Sequence, residues 1–248
     1  ISIMQRYFIS FAYDGTNYHG WQIQPNGNTV QEELQKALSL ILRCDINVVG
    51  AGRTDTGVHA RSMVAHFDMS TEIAFDVEML SGKLNRLLPP DIVVFSIKPV
   101  AEDMHARFSA TWRTYHYYVH KGKDPFVRNY SYSYYRDLDF ALMNEAARYL
   151  LEVEDFEAFC KSHSDAKTTL CNVTEAQWIQ DDATHWHFVI KANRFLRNMV
   201  RAVVGTLVEV GQHKITVEEF KNIVDQRKRT GAGESMPAHA LFLEKVEY

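Results

Sequence analysis

The run Gly50-Ala51-Gly52-Arg53-Thr54-Asp55-Thr56-Gly57-Val58-His59-Ala60 follows a β-branched stretch and holds the residue types best suited to chemistry. Three glycines in eight positions let a backbone bend tightly enough to approach a ligand. A dinucleotide-binding turn would need Gly where Asp55 stands, and a P-loop would need Lys where Val58 stands, so neither fingerprint fits. What remains is an Asp on a glycine-rich turn, two residues from Arg53. Two readings stay open at this level: an Asx-type turn residue beside a solvated Arg, or a carboxylate held ready to react. His59 with His66, or His185 with His187 at i, i+2 on a strand, have the side chains of metal ligands. Neither pair has a third ligand at suitable spacing, so no metal is expected. Cys44, Cys160 and Cys171 are too far apart for a Cys-x-x-Cys site and odd in number, which argues for reduced thiols.

These residues need elements to position them. Tyr7, Ile9, Phe11 and Tyr13 share a face at period two and predict a half-buried strand that ends at the Asp14-Gly15 turn. A loop rich in Gly, Asn and Pro follows, carrying Tyr18, Trp21 and Pro25. Thr29 and Glu32 then read as a capping box ahead of the helical stripe Val30, Leu34, Ala37, Leu38, Ile41 and Leu42. Strands are expected at Ile46 to Val49, Met63 to Phe67 and Ile92 to Ile97, with a helix near Val77 to Leu87, giving a β-α-β-β-α-β rhythm. The second half repeats it: strands at Trp112 to His120, Tyr130 to Tyr135, Thr174 to Ile179 and Trp186 to Ile190, and a helix at Phe140 to Leu151. Leu196, Met199, Val200, Val203, Val204 and Leu207 fall on one helical face, and a last helix (Val217 to Val224) and strand (Leu241 to Val246) follow. The expected fold is α+β: two ferredoxin-like halves, 1–107 and 108–248, with mostly antiparallel sheets side by side, helices on one face and an active-site cleft between the halves.

Gly52-Arg53-Thr54-Asp55-x-Gly57-Val58-His59-Ala60 resembles the active-site signature of the tRNA pseudouridine synthase A family. Further matches run in family order: Tyr13-Asp14-Gly15-Thr16, Gly20-Trp21-Gln22-x-Gln24-Pro25, Thr29-Val30-Gln31, Arg107-Phe108, Arg113-Thr114-Tyr115-x-Tyr117, Asp155-Phe156, Phe195-x-x-x-Met199-Val200-Arg201, Gly205-Thr206-Leu207 and Ala240-Leu241-Phe242-Leu243. Thr56 stands where Ala is more usual, and residues 161–172 match poorly.

The resemblance implies an isomerase that breaks the N1–C1′ bond of a uridine, turns the base and rejoins it through C5, with no cofactor. It implies Asp55 as the nucleophile, a role open to a carboxylate kept ionised in a pocket. Arg201 is implied as its ion-pair partner, since a guanidinium opposes the desolvation that would neutralise a buried acid. Tyr115 is implied to stack on the target base and to take part in late proton transfer. Arg53 would displace or replace the flipped base, and Thr54, His59, Trp21, Gln22, Arg113, Arg197 and Leu241 would line the substrate site. The implied substrate is uridine 38, 39 or 40 of the tRNA anticodon stem-loop, bound by a homodimer. A noncatalytic RNA-binding module would not need Asp55, Tyr115 and Arg201 together, and a hydrolytic glycosidase would need a second carboxylate near Asp55.

At 248 residues, 46% hydrophobic and 23% charged, the chain suits a folded protein with a sizeable core, and disorder is excluded. No uncharged apolar run reaches membrane-spanning length and no signal peptide is visible, so a cytoplasmic protein is expected, with Met4 as its natural start. The net charge of -4 argues against RNA only as an average. Residues 104–136 carry six Lys/Arg against Asp124 alone, together with ten of the 30 aromatic residues, and residues 183–208 carry four basic residues and no acid. Residues 137–157 carry seven acids against Arg148. RNA binding is therefore expected along the two basic segments.

Overall fold

The computed structural model describes residues 1–248, which form two compact units: 1–111 with 243–248, and 112–242. The division falls after Thr111 rather than after residue 107. Thr111 N–H donates to Glu247 O at 2.7 Å, which ties this stretch and the chain's end into the first unit.

The first unit is built from β1 (Met4–Tyr13), α1 (Val30–Leu42), β2 (Val49–Gly50), β3 (His59–Ser70), α2 (Val77–Leu87) and β4 (Ile92–Val100), the expected rhythm. Its strands run β4-β1-β3, β1 antiparallel to both neighbours, with β2 antiparallel to β3. Ile9, Phe11 and Tyr13 are buried on one face of β1, as period two requires. Of the strand expected at Ile46 to Val49 only Val49 joins β2, for a physical reason. The backbone there bonds to α1 side chains instead of a neighbouring strand: Ile46 N–H donates to Ser39 Oγ (2.9 Å), Val48 N–H to Gln35 Oε1 (3.0 Å), and Val48 O accepts from Gln31 Nε2 (2.8 Å). Thr29 caps α1 by accepting from Glu32 N–H, while Glu32 turns to Lys36 (3.3 Å).

The second unit holds β5 (Trp112–Lys121), β6 (Tyr132–Tyr134), α3 (Phe140–Tyr149), β7 (Val173–Gln180), β8 (His185–Ala192), α4 (Met199–Gly211) and α5 (Val217–Gln226); β9 (Leu241–Glu247) closes the chain. β8 lies between β5 and β7, antiparallel to each, and short β6 pairs parallel to β5. The reciprocal capping box is at Thr216 and Glu219, ahead of α5. α4 begins at Met199, not at Leu196, because Asn198 sits in the left-handed region at φ 67°. It is buried nearly all round rather than along one stripe: Ala202 to Val208 are all buried. α3 packs on β7, α4 and α5. No helix is long and apolar enough to cross a membrane, and all three cysteines are free.

Candidate active site

In the first unit the Asp55 turn is held from behind by the loop after β1. Gly15 presses on it so closely that a Cβ there would stand 2.0 Å from Val58 O. Gly20, at φ +78°, leaves the same lack of room against Thr54 O, at 2.3 Å. Both positions exclude any side chain, and the second also needs the backbone freedom of glycine. Hydrogen bonds close the clamp: Trp21 N–H to Thr54 O (3.3 Å), Gly57 N–H to Tyr18 O (3.3 Å), and Val58 N–H to Asp55 O (3.0 Å) across the turn itself. Gly57 adopts φ +82° there. The buried hydroxyls of Tyr13 and Thr54 meet at 2.7 Å.

Asp55 is half-buried, Arg53 and Gln22 are exposed, and a Cβ at Gly52 would meet nothing within 4 Å. The outer side of the turn is therefore open beside a carboxylate whose backbone is fixed on its inner side. His59 and Trp21 serve this arrangement from inside. His59, 1% exposed, accepts Gly15 N–H on Nδ1 at 2.9 Å, and Trp21, also 1% exposed, packs against Phe11 and over Gly50. Thr54 is buried through its bond to Tyr13. Tyr18 braces the loop at a second point, its hydroxyl donating to Asp91 Oδ1 at 2.6 Å; burial first, then that bond, raises its pKa far above the usual tyrosine value. Sequence reasoning left Tyr13 and Tyr18 out of the site, although Tyr13 opens the Tyr13-Asp14-Gly15-Thr16 motif and Tyr18 stands in the loop that follows it.

The second unit carries Tyr115, Arg113, Arg197 and Arg201, with Leu241. Tyr115 is half-buried on β5 opposite Ile190, and Phe195 meets its ring edge-to-face at 4.9 Å. Phe195 was missed as a site residue; its place in the Phe195-x-x-x-Met199 motif was the available signal. Arg113 Nη1 donates to Asn193 O at 2.7 Å, and Arg197 is exposed. Tyr117 is fully buried and donates to Pro237 O at 2.8 Å, a packing role; burial pushes its pKa far above the usual range. Leu241 is 5% exposed.

Arg201 is oriented by a strap, residues 233–237. Its Nε donates to Met236 O at 2.7 Å and its own carbonyl accepts Met236 N–H at 3.1 Å. The Gly205-Thr206 motif explains why the strap lies there. A Cβ at Gly205 would stand 1.8 Å from Glu234 O, and Thr206 Oγ1 accepts Gly233 N–H at 2.9 Å. Arg229 and Asn198 complete the seat by bonding Ser235.

The histidines considered as metal ligands have other partners. His66 Nδ1 accepts Ala106 N–H (2.9 Å), His185 bridges Asp124 and Asp182 (2.8 Å each), and His187 pairs with Asp181 (2.8 Å). The two basic segments meet as neighbouring strands, with Thr114 opposite Lys191 and Arg113 opposite Ala192.

A family model described as tRNA pseudouridine synthase matches residues 9–109 and 146–248. The chain is 58% identical over 247 residues to tRNA pseudouridine synthase A of Bacteroides thetaiotaomicron, covering 99% of this chain and 91% of that one. It is 56% identical to the protein of the same name from Bacteroides fragilis (99% and 97% covered) and 51% identical to that of Parabacteroides distasonis (99% and 96% covered). The first matched segment includes the motifs that build the Asp55 turn and the second those that build the Arg201 strap, and the chain belongs to the tRNA pseudouridine synthase family.

Proposed function

We propose that this chain converts uridine to pseudouridine at positions 38, 39 and 40 of the tRNA anticodon stem-loop, with Asp55 as the nucleophile. The observation that carries the reading is the Asp55 turn itself: a half-buried carboxylate on an open outer face, its backbone clamped by Gly15, Gly20 and Trp21. Clamping the backbone from behind fixes where the carboxylate stands, which suits a group that must attack or steady a carbon centre.

The reaction is an isomerisation and balances internally. The N1–C1′ bond breaks, C5 bonds to C1′, the C5 proton leaves and N1 gains one. Asp55 engages the ribose or the base while the glycosidic bond is open, as a carboxylate does in covalent glycosidase chemistry. Arg201, its guanidinium oriented through Nε on Met236 O, supplies the cationic charge that favours the ionised acid. Tyr115, steadied by Phe195, stacks on the base and takes part in the late proton transfer. A paired uridine must first leave its stack, at a cost of a few kcal/mol, and exposed Arg53 beside the turn is suited to fill the vacated place or hold a phosphate. Gln22, Arg113 and Arg197 contact the tRNA, and Leu241 gives the pocket an apolar wall. His59, Thr54 and Trp21 act on the substrate through the loop they hold. The working form is a cytoplasmic homodimer that places tRNA across both subunits.

Asp55→Asn and Asp55→Ala should lower pseudouridine formation at least about 1,000-fold in a tritium-release assay on tRNA. Both variants should bind tRNA within a few-fold of the parent. Full turnover by either variant excludes the nucleophile role. Pseudouridine lost outside positions 38–40 in cells lacking the gene replaces the positional assignment.

A further inference from the structure

Phe108 is an aromatic ring placed in solvent by a rigid turn. It is 77% exposed, yet its surroundings are built to hold it. His105 stacks on it with ring centroids 4.3 Å apart and 29° between planes, and His105 in turn meets His66 edge-on at 4.6 Å. The backbone beneath is knotted around the same imidazole: Arg107 N–H and Phe108 N–H both donate to His105 Nδ1 at 3.1 Å. His105 N–H donates to Ser109 Oγ and Ser109 N–H to His105 O, each at 2.9 Å. The turn is tethered at its foot by Ala106 N–H on His66 Nδ1, by Arg6 on Met104 O at 2.8 Å, and by the Tyr248 hydroxyl on Ala106 O. Burial, then the charges of Arg6 and Arg107, hold the His105 pKa below the usual histidine value, so the backing ring is neutral at pH 7. The Arg107 guanidinium stands 5.5 Å from the Phe108 ring centre.

An exposed, pre-ordered aromatic ring beside a cation matches the chemistry of a nucleotide, whose base stacks and whose phosphate is anionic. Pre-ordering matters because a ring already stacked on His105 has less side-chain freedom to lose when the base arrives. Nothing in the Asp55 chemistry uses this ring. The Asp55 turn joins β3 at His59, whereas this turn hangs from His66, seven residues further along an extended strand, or about 23 Å.

We propose that Phe108, backed by His105 and flanked by Arg107, is a stacking site for an unpaired base of the tRNA substrate, separate from the base that is isomerised. The proposal rests on the tRNA reading above. A ring that stacks is replaceable by another aromatic ring but not by an aliphatic side chain of similar size.

The test measures the affinity of full-length protein for unmodified tRNA transcript at fixed salt, alongside pseudouridine formation by the parent chain. Phe108→Ala and Phe108→Leu should weaken binding by about 5- to 150-fold, and Phe108→Tyr and Phe108→Trp should restore it to within a few-fold. Unchanged affinity in Phe108→Ala overturns the site, as does a Phe108→Leu variant equal to the parent. Sedimentation run in parallel covers the other occupant of an exposed ring: a drop in oligomeric state in Phe108→Ala makes it a contact between copies and overturns the RNA assignment. A parent chain that leaves tRNA unmodified overturns the underlying function, whereas an active parent with an indifferent Phe108→Ala overturns this site alone.

Discussion

A neutral His66 is a structural requirement as well as a titration. It is 5% exposed and its Nδ1 must carry a lone pair to accept Ala106 N–H. Burial first, then Arg6 and His105, lowers its pKa from the usual 6.5 to about 4. The unfolded chain therefore takes up this proton first as pH falls. The stabilisation is complete above pH 6.5 and is lost between 6.5 and about 4, a span on the order of 3 kcal/mol. Thermal unfolding followed from pH 7 to pH 4 should show a downward slope in that window. Replacing the imidazole with the non-titrating amide of His66→Gln should flatten it. His66 was legible in the sequence only as a histidine of uncertain use. Its partner lies 40 residues away, so no local pattern reveals it.

At the scale of elements, the strap and α4 show how a short motif works through packing. Gly205 has no side chain because Glu234 O occupies the space where a Cβ would be. Gly205→Ala must push the strap away from α4, and with it the Met236 carbonyl that orients Arg201. The expected cost is about 1–3 kcal/mol in stability, as for other overpacked interiors, measured by denaturant titration. Turnover should fall further than stability alone explains, read as a drop in kcat under conditions where the variant remains folded. The helix itself was legible from its apolar positions, though a single stripe understates an element buried on nearly every side. At Ile46 to Val49 the β-branched pattern predicted a strand, but only Val49 pairs with β3, while Ile46 and Val48 are buried outside any strand. α1 offers Ser39, Gln35 and Gln31 to the same backbone groups, and side-chain competition of this kind leaves no trace in hydrophobic periodicity.

At the scale of the whole molecule, a net charge of -4 coexists with basic strands, since β5 and β8 bring the two basic segments side by side. Binding of tRNA through such surfaces releases counterions, so affinity should fall steeply with salt, and Arg197→Gln should reduce the log–log slope by about 0.7–0.9. Filter binding between 50 and 200 mM salt, a range in which several phosphate contacts give a large change, measures it. A flat response would show that phosphates contribute little. Local spacing in the sequence determined the strands and helices, the glycine-rich turn around Asp55 and the segregation of charge, because periodicity and turn chemistry act between near neighbours. Only the tertiary structure decided what holds that turn. Gly15 meets His59 across 44 positions and Tyr13 meets Thr54 across 41. It also decided that His105 would back Phe108 in solvent and that Met236 would orient Arg201. These contacts depend on chain segments packing against one another, and spacing along the sequence carries no record of that.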